Sequence, residues 1–163
     1  MQYTLSILVE NQAGVLSKIS GLFSRRGFNI DSLAVGVTAD PNVSRITIVA
    51  NGDEYVVEQL EKQLNKVIPV IKVKRLNEGE FVSRELILIK VHCAASKRAE
   101  IVKTAEIMQA KIVDAAPSCI TVEYCETSAR IKTLIDMLKP YGIREIVRTG
   151  TIAIDRGNAA VSI

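Results

Sequence analysis

The stretch Val9-Glu10-Asn11-Gln12-Ala13-Gly14-Val15-Leu16 decides the fold, because one kind of periodicity stops there and another begins. Before it, Tyr3, Leu5, Ile7 and Val9 are apolar at every second position, the period of a half-buried strand. After it, Val15, Ile19 and Leu22, with Leu16 and Phe23 beside them, recur at helical spacing. Gly14 allows backbone torsions that a β-carbon forbids and lets another molecule approach the main chain. The first N–H groups of the helix have no partners within it, and they favour an anion. The turn therefore has the chemistry to hold a small ligand's carboxylate. Taken alone, an ordinary strand-to-helix turn is the simpler reading.

Outward from this turn, the elements follow in order. Arg25, Arg26 and Gly27 suit a helix end, with cations at the negative pole and glycine in the left-handed position. Residues 28–38 form a strand whose apolar parity changes between Ile30 and Leu33, which predicts a bulge near Asp31 and Ser32. Asp40-Pro41 marks a turn, and Ile46, Ile48 and Ala50 line one face of a third strand. Asn51-Gly52-Asp53 ends that strand and caps a helix striped by Val57, Leu60, Leu64 and Val67. Pro69 stops the helix, and Ile71 and Val73 alternate with Lys72 and Lys74 in a fourth strand. The order is β-α-β-β-α-β, the ferredoxin-like unit. In its strand order 4-1-3-2, the strand at 28–38 lies at the sheet edge, and its Val35-Gly36-Val37 is expected to pair with a second copy.

The order of elements then repeats with little sequence identity. Ile87, Ile89 and Val91 alternate; a helix is expected over 96–109, a short strand at Ile112 and Val113, and a turn at Pro117-Ser118. Ile120, Val122 and Tyr124 alternate, Ile131, Leu134, Ile135 and Leu138 stripe a helix, and one last strand is expected over 143–154. The fold class is thus α+β, with two ferredoxin-like βαββαβ domains. The domains are expected at 1–76 and 84–157, with a linker at 77–83 and a tail at 158–163. The second domain's equivalent turn, Cys93-Ala94-Ala95-Ser96, has neither Asn nor Gly, so ligand binding is expected only in the first.

Composition excludes several classes. The 163 residues are 48% hydrophobic, enough for a core. A net charge of +3 spread along the chain argues against a dedicated nucleic-acid surface, and 4% aromatic residues with no Trp leave few platforms for base stacking. Both observations argue against an RNA-binding role on this fold. No apolar run nears the roughly 20 residues that span a bilayer, and no signal peptide is expected. Three cysteines, Cys93, Cys119 and Cys125, without a C-x-x-C pair suit free thiols in a reducing compartment; buried, unreactive positions are expected for Cys119 and Cys125. One histidine, His92, and no paired cysteines argue against a zinc site. No phosphate loop or catalytic motif is present, and Glu54, Glu58 and Glu61 read as a solvated helix face. No metal, cofactor or catalytic residue is expected in this chain.

Residues 8–16 and Arg26-Gly27-Phe28-Asn29-Ile30-Asp31-Ser32-Leu33 resemble the ACT domain of the acetohydroxyacid (acetolactate) synthase small regulatory subunits. Ser44–Thr47, Gln59–Leu64, Arg84–Leu86 through Lys90-Val91, Tyr141–Ile143, and Glu145–Gly150 with Ala153-Ile154 extend the similarity to about Gly157. The resemblance implies a non-catalytic, cytoplasmic subunit. Such a subunit activates a thiamine-diphosphate-dependent catalytic large subunit and confers feedback inhibition by valine in branched-chain amino-acid biosynthesis. It also implies a homodimer with valine between two ACT domains. Asn11, Gly14, Val15 and Leu16 would come from one chain, and Asn29 and Ile30 from its partner. The residue chemistry is compatible: turn amides suit the carboxylate, Asn oxygens the ammonium, and Leu16 and Ile30 the isopropyl group. For Asn29, tolerance of an unusual backbone after Gly27 is the competing explanation. A stand-alone amino-acid sensor of another pathway is the alternative function.

Overall fold

A computed structural model describes residues 1–163, which divide into two compact units. The first comprises residues 1–82 together with 151–163, and the second residues 83–150.

In the first unit, β1 (Gln2–Glu10), α1 (Val15–Arg25), β2 (Asn29–Val37), β3 (Val43–Asn51), α2 (Glu54–Leu64) and β4 (Val70–Leu76) give the expected βαββαβ order. The antiparallel sheet runs β2-β3-β1-β4, so β2 is an edge strand. Alternation dictates the core. Leu5, Ile7, Val9, Ile46, Ile48 and Ala50 meet Ile19, Phe23, Leu60 and Leu64 in one apolar cluster. The local signals act as read: Gly27 is left-handed at φ 69°, and the Asp53 side chain accepts from Val56 N at 3.0 Å to cap α2. The β2–β3 register shifts between Ile30 and Ser32, so Asp31 is the extra residue of the expected bulge. Gly52 is required by close packing, since a β-carbon there would collide with the Phe28 ring.

Two details of this unit differ from expectation. Ile71 does not pack inward: the β1–β4 register shifts between Leu8 and Val9, and Val70 packs against the core with Val73. The expected linker at 77–83 is a tight turn at residues 77–80, closed by Glu80 N on Asn77 O at 3.0 Å, and residues 81–83 already belong to the next strand.

That strand is β5 (Phe81–His92). It is followed by a 3-10 turn (Ala95–Lys97), α3 (Arg98–Met108), β6 (Lys111–Ala115), β7 (Cys119–Glu126), α4 (Ser128–Leu138) and β8 (Ile143–Arg148). The sheet order β6-β7-β5-β8 repeats the first unit's pattern. Ile87, Ile89, Val91, Ile120, Val122 and Tyr124 form the sheet side of the core, and Ile101, Ile131, Leu134 and Leu138 the helix side. Cys93 is buried in this core, Cys119 is half-buried and Cys125 is exposed. The expectation of burial fails for Cys125 because Ile120, Val122 and Tyr124 take the inward parity of β7.

The last expected strand is also two strands. β8 ends at Arg148, Gly150 turns at φ 86°, and β9 (Ile152–Asp155) follows. Residues 151–163 return to the first unit and reach the sheet face opposite its helices. Thr151 N donates to Ser32 Oγ at 2.6 Å, Arg45 Nη2 to Ala153 O at 2.6 Å, and Lys72 Nζ to Ser162 O at 2.9 Å. Lys74 Nζ pairs with Asp155 at 2.8 Å. Ser6, Leu8, Thr47 and Val49 share this face and are buried. The first sheet is therefore covered on both sides.

Candidate functional site

The β1–α1 turn is built from main-chain bonds. Asn11 N donates to Asn42 O at 2.8 Å, and Asn11 Nδ2 to Pro41 O at 2.9 Å, which ties the turn to the β2–β3 loop. The Asn11 amide thus directs its N–H₂ inward and keeps its oxygen as an acceptor. Gly14 caps α1 with φ 84°, a conformation that strains any residue carrying a β-carbon. No side chain caps this helix, and its first turn carries no acidic residue. The N–H groups at the start of α1 are thus aimed outward without a carboxylate of the chain's own to answer them. A β-carbon at Gly14 would meet open space within the chain, so the cost of replacing it is backbone strain, not crowding by neighbours. Val15 is buried in the core, whereas Leu16 is 41% exposed and presents an apolar surface beside the turn.

Asn29 and Ile30 open β2. Asn29 pairs across β3 with Asn51, which pairs in turn with Gln2 at the start of β1. The turn lies at the other end of β1, nine residues long, a separation of roughly 27 Å at about 3.4 Å per step. One chain therefore does not bring Asn29 and Ile30 together with Asn11, Gly14, Val15 and Leu16. Asn29 lies in regular strand and Gln109 is the non-glycine residue with positive φ, so an unusual backbone does not explain Asn29. Its Nδ2 donates to Asp31 Oδ1 at 3.0 Å, and the other Asp31 oxygen accepts from Asn51 Nδ2. The far end of β2 exposes Val35 and Val37, and a β-carbon at Gly36 would meet nothing within 4 Å.

The second unit's turn is closed by its own side chains. Cys93 N donates to Ser118 O at 2.8 Å, matching the bond from Asn11 N. The carbonyls of Ala116 and Pro117 are taken by the Arg98 guanidinium at 2.6 and 3.0 Å. Glu100 in the first turn of α3 accepts from Lys97 at 3.1 Å and from the Tyr141 hydroxyl at 3.0 Å. The Lys97 bond, then that of Tyr141, holds the Glu100 carboxyl below the usual carboxylate range.

A cluster at the opposite end of the first sheet escaped the sequence reading. Glu54 is not merely solvated: Arg75 Nη1 pairs with it at 2.5 Å, and the Tyr3 hydroxyl donates to it at 3.1 Å. These bonds, Arg75's first, lower the Glu54 carboxyl. Glu61 lies 3.6 Å from Arg75 Nε, and its burial raises its carboxyl. These residues, apart from Glu61, line a cleft of about 490 Å³ with Met1, Asn77 and Phe81. Helical periodicity in residues 54–61 carries no signal for a partner on β4.

Two family models divide the chain between them. The one described as the acetohydroxyacid synthase (AHAS) small subunit-like ACT domain matches residues 5–72, and the one described as the small subunit of acetolactate synthase matches residues 84–157. The chain belongs to the acetolactate synthase small-subunit family. It is 48% identical over 158 residues to the probable acetolactate synthase small subunit of Archaeoglobus fulgidus, covering 97% of this chain and 99% of that one. It is 47% identical to the acetolactate synthase small subunit of Mycolicibacterium smegmatis, covering 95% and 91% of the two chains. The crystal structure of the Thermotoga maritima acetolactate synthase small subunit superposes with a TM-score of 0.89 at 36% identity, covering 98% of this chain and 99% of that one. The ACT architecture with a second ferredoxin-like domain is thus the family's fold.

Proposed function

We propose that this chain is the regulatory subunit of an acetohydroxyacid synthase. It binds and activates a thiamine-diphosphate-dependent catalytic large subunit and makes it responsive to valine. It performs no chemistry of its own and works in the cytoplasm. The observation that carries the effector part is the placement of the two residue groups at opposite ends of one sheet. A ligand touching both must bridge two chains. Antiparallel pairing of β2 with its twofold mate brings the start of one β2 to the far end of the other. That end is the level of the partner's β1–α1 turn. Valine's carboxylate then meets the amides at the start of α1 near Gly14, its ammonium the oxygens of Asn11 and the partner's Asn29, and its isopropyl group Leu16 and the partner's Ile30. No helix is long and apolar enough to cross a membrane.

The test is reconstitution. The purified chain alone should form no acetolactate from pyruvate. Added to the catalytic subunit it should raise the rate, and valine should then lower it. Acetolactate formation by the isolated chain, or failure to raise the partner's rate, would overturn the assignment.

A further inference from the structure

The residue that holds Asn29 is assigned no role by the reading above. We infer that Asp31 is a positioning residue of the effector site, orienting the Asn29 carboxamide so that its oxygen faces the effector's ammonium. This inference rests on the proposed placement of valine across two chains.

The β2 bulge makes the arrangement. Ile30 pairs with Ala50 and Ser32 with Val49, so Asp31 has no cross-strand mate and its carboxylate is released from the regular alternation. It bonds to two amides: Asn29 Nδ2 at 3.0 Å and Asn51 Nδ2 from the neighbouring strand. An ionised carboxylate only accepts, so both amides must turn their N–H₂ groups toward it. In a planar carboxamide the oxygen then points elsewhere. For Asn29 that leaves an acceptor at the sheet edge, while Asn51 braces the second carboxylate oxygen. The flanks are fixed as well. Ile30 packs against the core, and Ser32 Oγ accepts from Thr151 N at 2.6 Å.

The arrangement carries a specificity. Asn29 alone can present its amide either way, as donor or as acceptor. With Asp31 in place it presents its oxygen, an acceptor. That environment favours an α-ammonium and disfavours the 2-oxo and 2-hydroxy acids that share valine's side chain and carboxylate.

The experiment is a double-mutant cycle on the full chain, with valine binding followed by calorimetry and folding by thermal melts. Asp31→Asn should weaken valine about tenfold or more, the effect of losing a hydrogen bond to a charged group, while the chain still melts as a folded protein. Asn29→Ala should weaken it as well. Because Asp31 acts through Asn29, the double variant should bind no worse than Asn29→Ala. Wild-type affinity in Asp31→Asn, or losses that multiply in the double variant, would overturn the inference. Undiminished binding in Gly14→Asp would instead overturn the placement of the site itself.

Discussion

The two strand-to-helix turns of this chain share a backbone plan and differ in what completes them. In the first, neutral Asn11 holds the neighbouring loop at Pro41, Gly14 starts the helix, and no side chain caps it. In the second, Arg98 holds the loop, a 3-10 turn precedes the helix, and Lys97 and Tyr141 both donate to Glu100. The sheet edges differ in the same direction. β2 is nine residues long and ends in exposed Val35-Gly36-Val37, with no lysine. β6 is five residues long, begins at Lys111 and is bulged between Ile112 and Asp114, the devices that protect an edge from pairing. One fold used twice in one chain has therefore been left open in one copy and closed in the other. Binding sites arise where a fold's polar groups are left for another molecule to answer.

The largest expected effect breaks the open turn. Gly14→Asp should reduce valine binding below detection by calorimetry, because a carboxylate placed at the turn repels the ligand's own. The fold should persist, with a loss of about 1–2 kcal/mol for a β-carbon in the left-handed region. Ending the chain after Gly150 should be next. It strips the second layer from the first sheet, including Ala153 and the Lys74–Asp155 pair. The first unit's melting midpoint should fall by roughly 10 °C, since each kcal/mol moves a domain this size by about 4–8 °C. The second sheet, whose β5 loses its pairing with β9, should be destabilised less. An unchanged first transition would show that residues 151–163 contribute nothing to it.

The edges give a matched pair. Gly36→Lys should raise the dimer dissociation constant in sedimentation equilibrium, and Val113→Lys in β6 should leave it unchanged. Valine should tighten the wild-type dimer by about 5–150-fold, the usual range of coupling between two sites. Equal effects at both edges would erase the distinction between them. The smallest effect belongs to the closed turn. The Glu100 carboxyl is held low in the folded chain by Lys97 and Tyr141, so its contribution is present above the ordinary carboxylate range and lost as pH falls through the lowered value. Glu100→Gln should flatten the acid side of the second unit's stability profile slightly and leave valine binding as it was.

Local sequence determined much of this protein. Alternation and helical stripes placed both βαββαβ units, the parity change at Ile30–Leu33 located the β2 bulge, and Gly27 and Asp53 marked helix ends. Those signals are legible because each is carried by residues within a turn or two of one another. Tertiary structure decided the rest. Residues 151–163 lie on the first sheet through bonds to Ser32, Arg45 and Lys74, partners some 80 to 120 positions away that no periodicity announces. Arg98 fills the second turn because β6 and β7 fold their loop against it. Asn29 and Asn11 stand at opposite ends of one sheet because the register of β1, β3 and β2 puts them there. Spacing along the chain records which residues share a face; which faces meet depends on strand order and register, and those are set by burial summed over the whole fold.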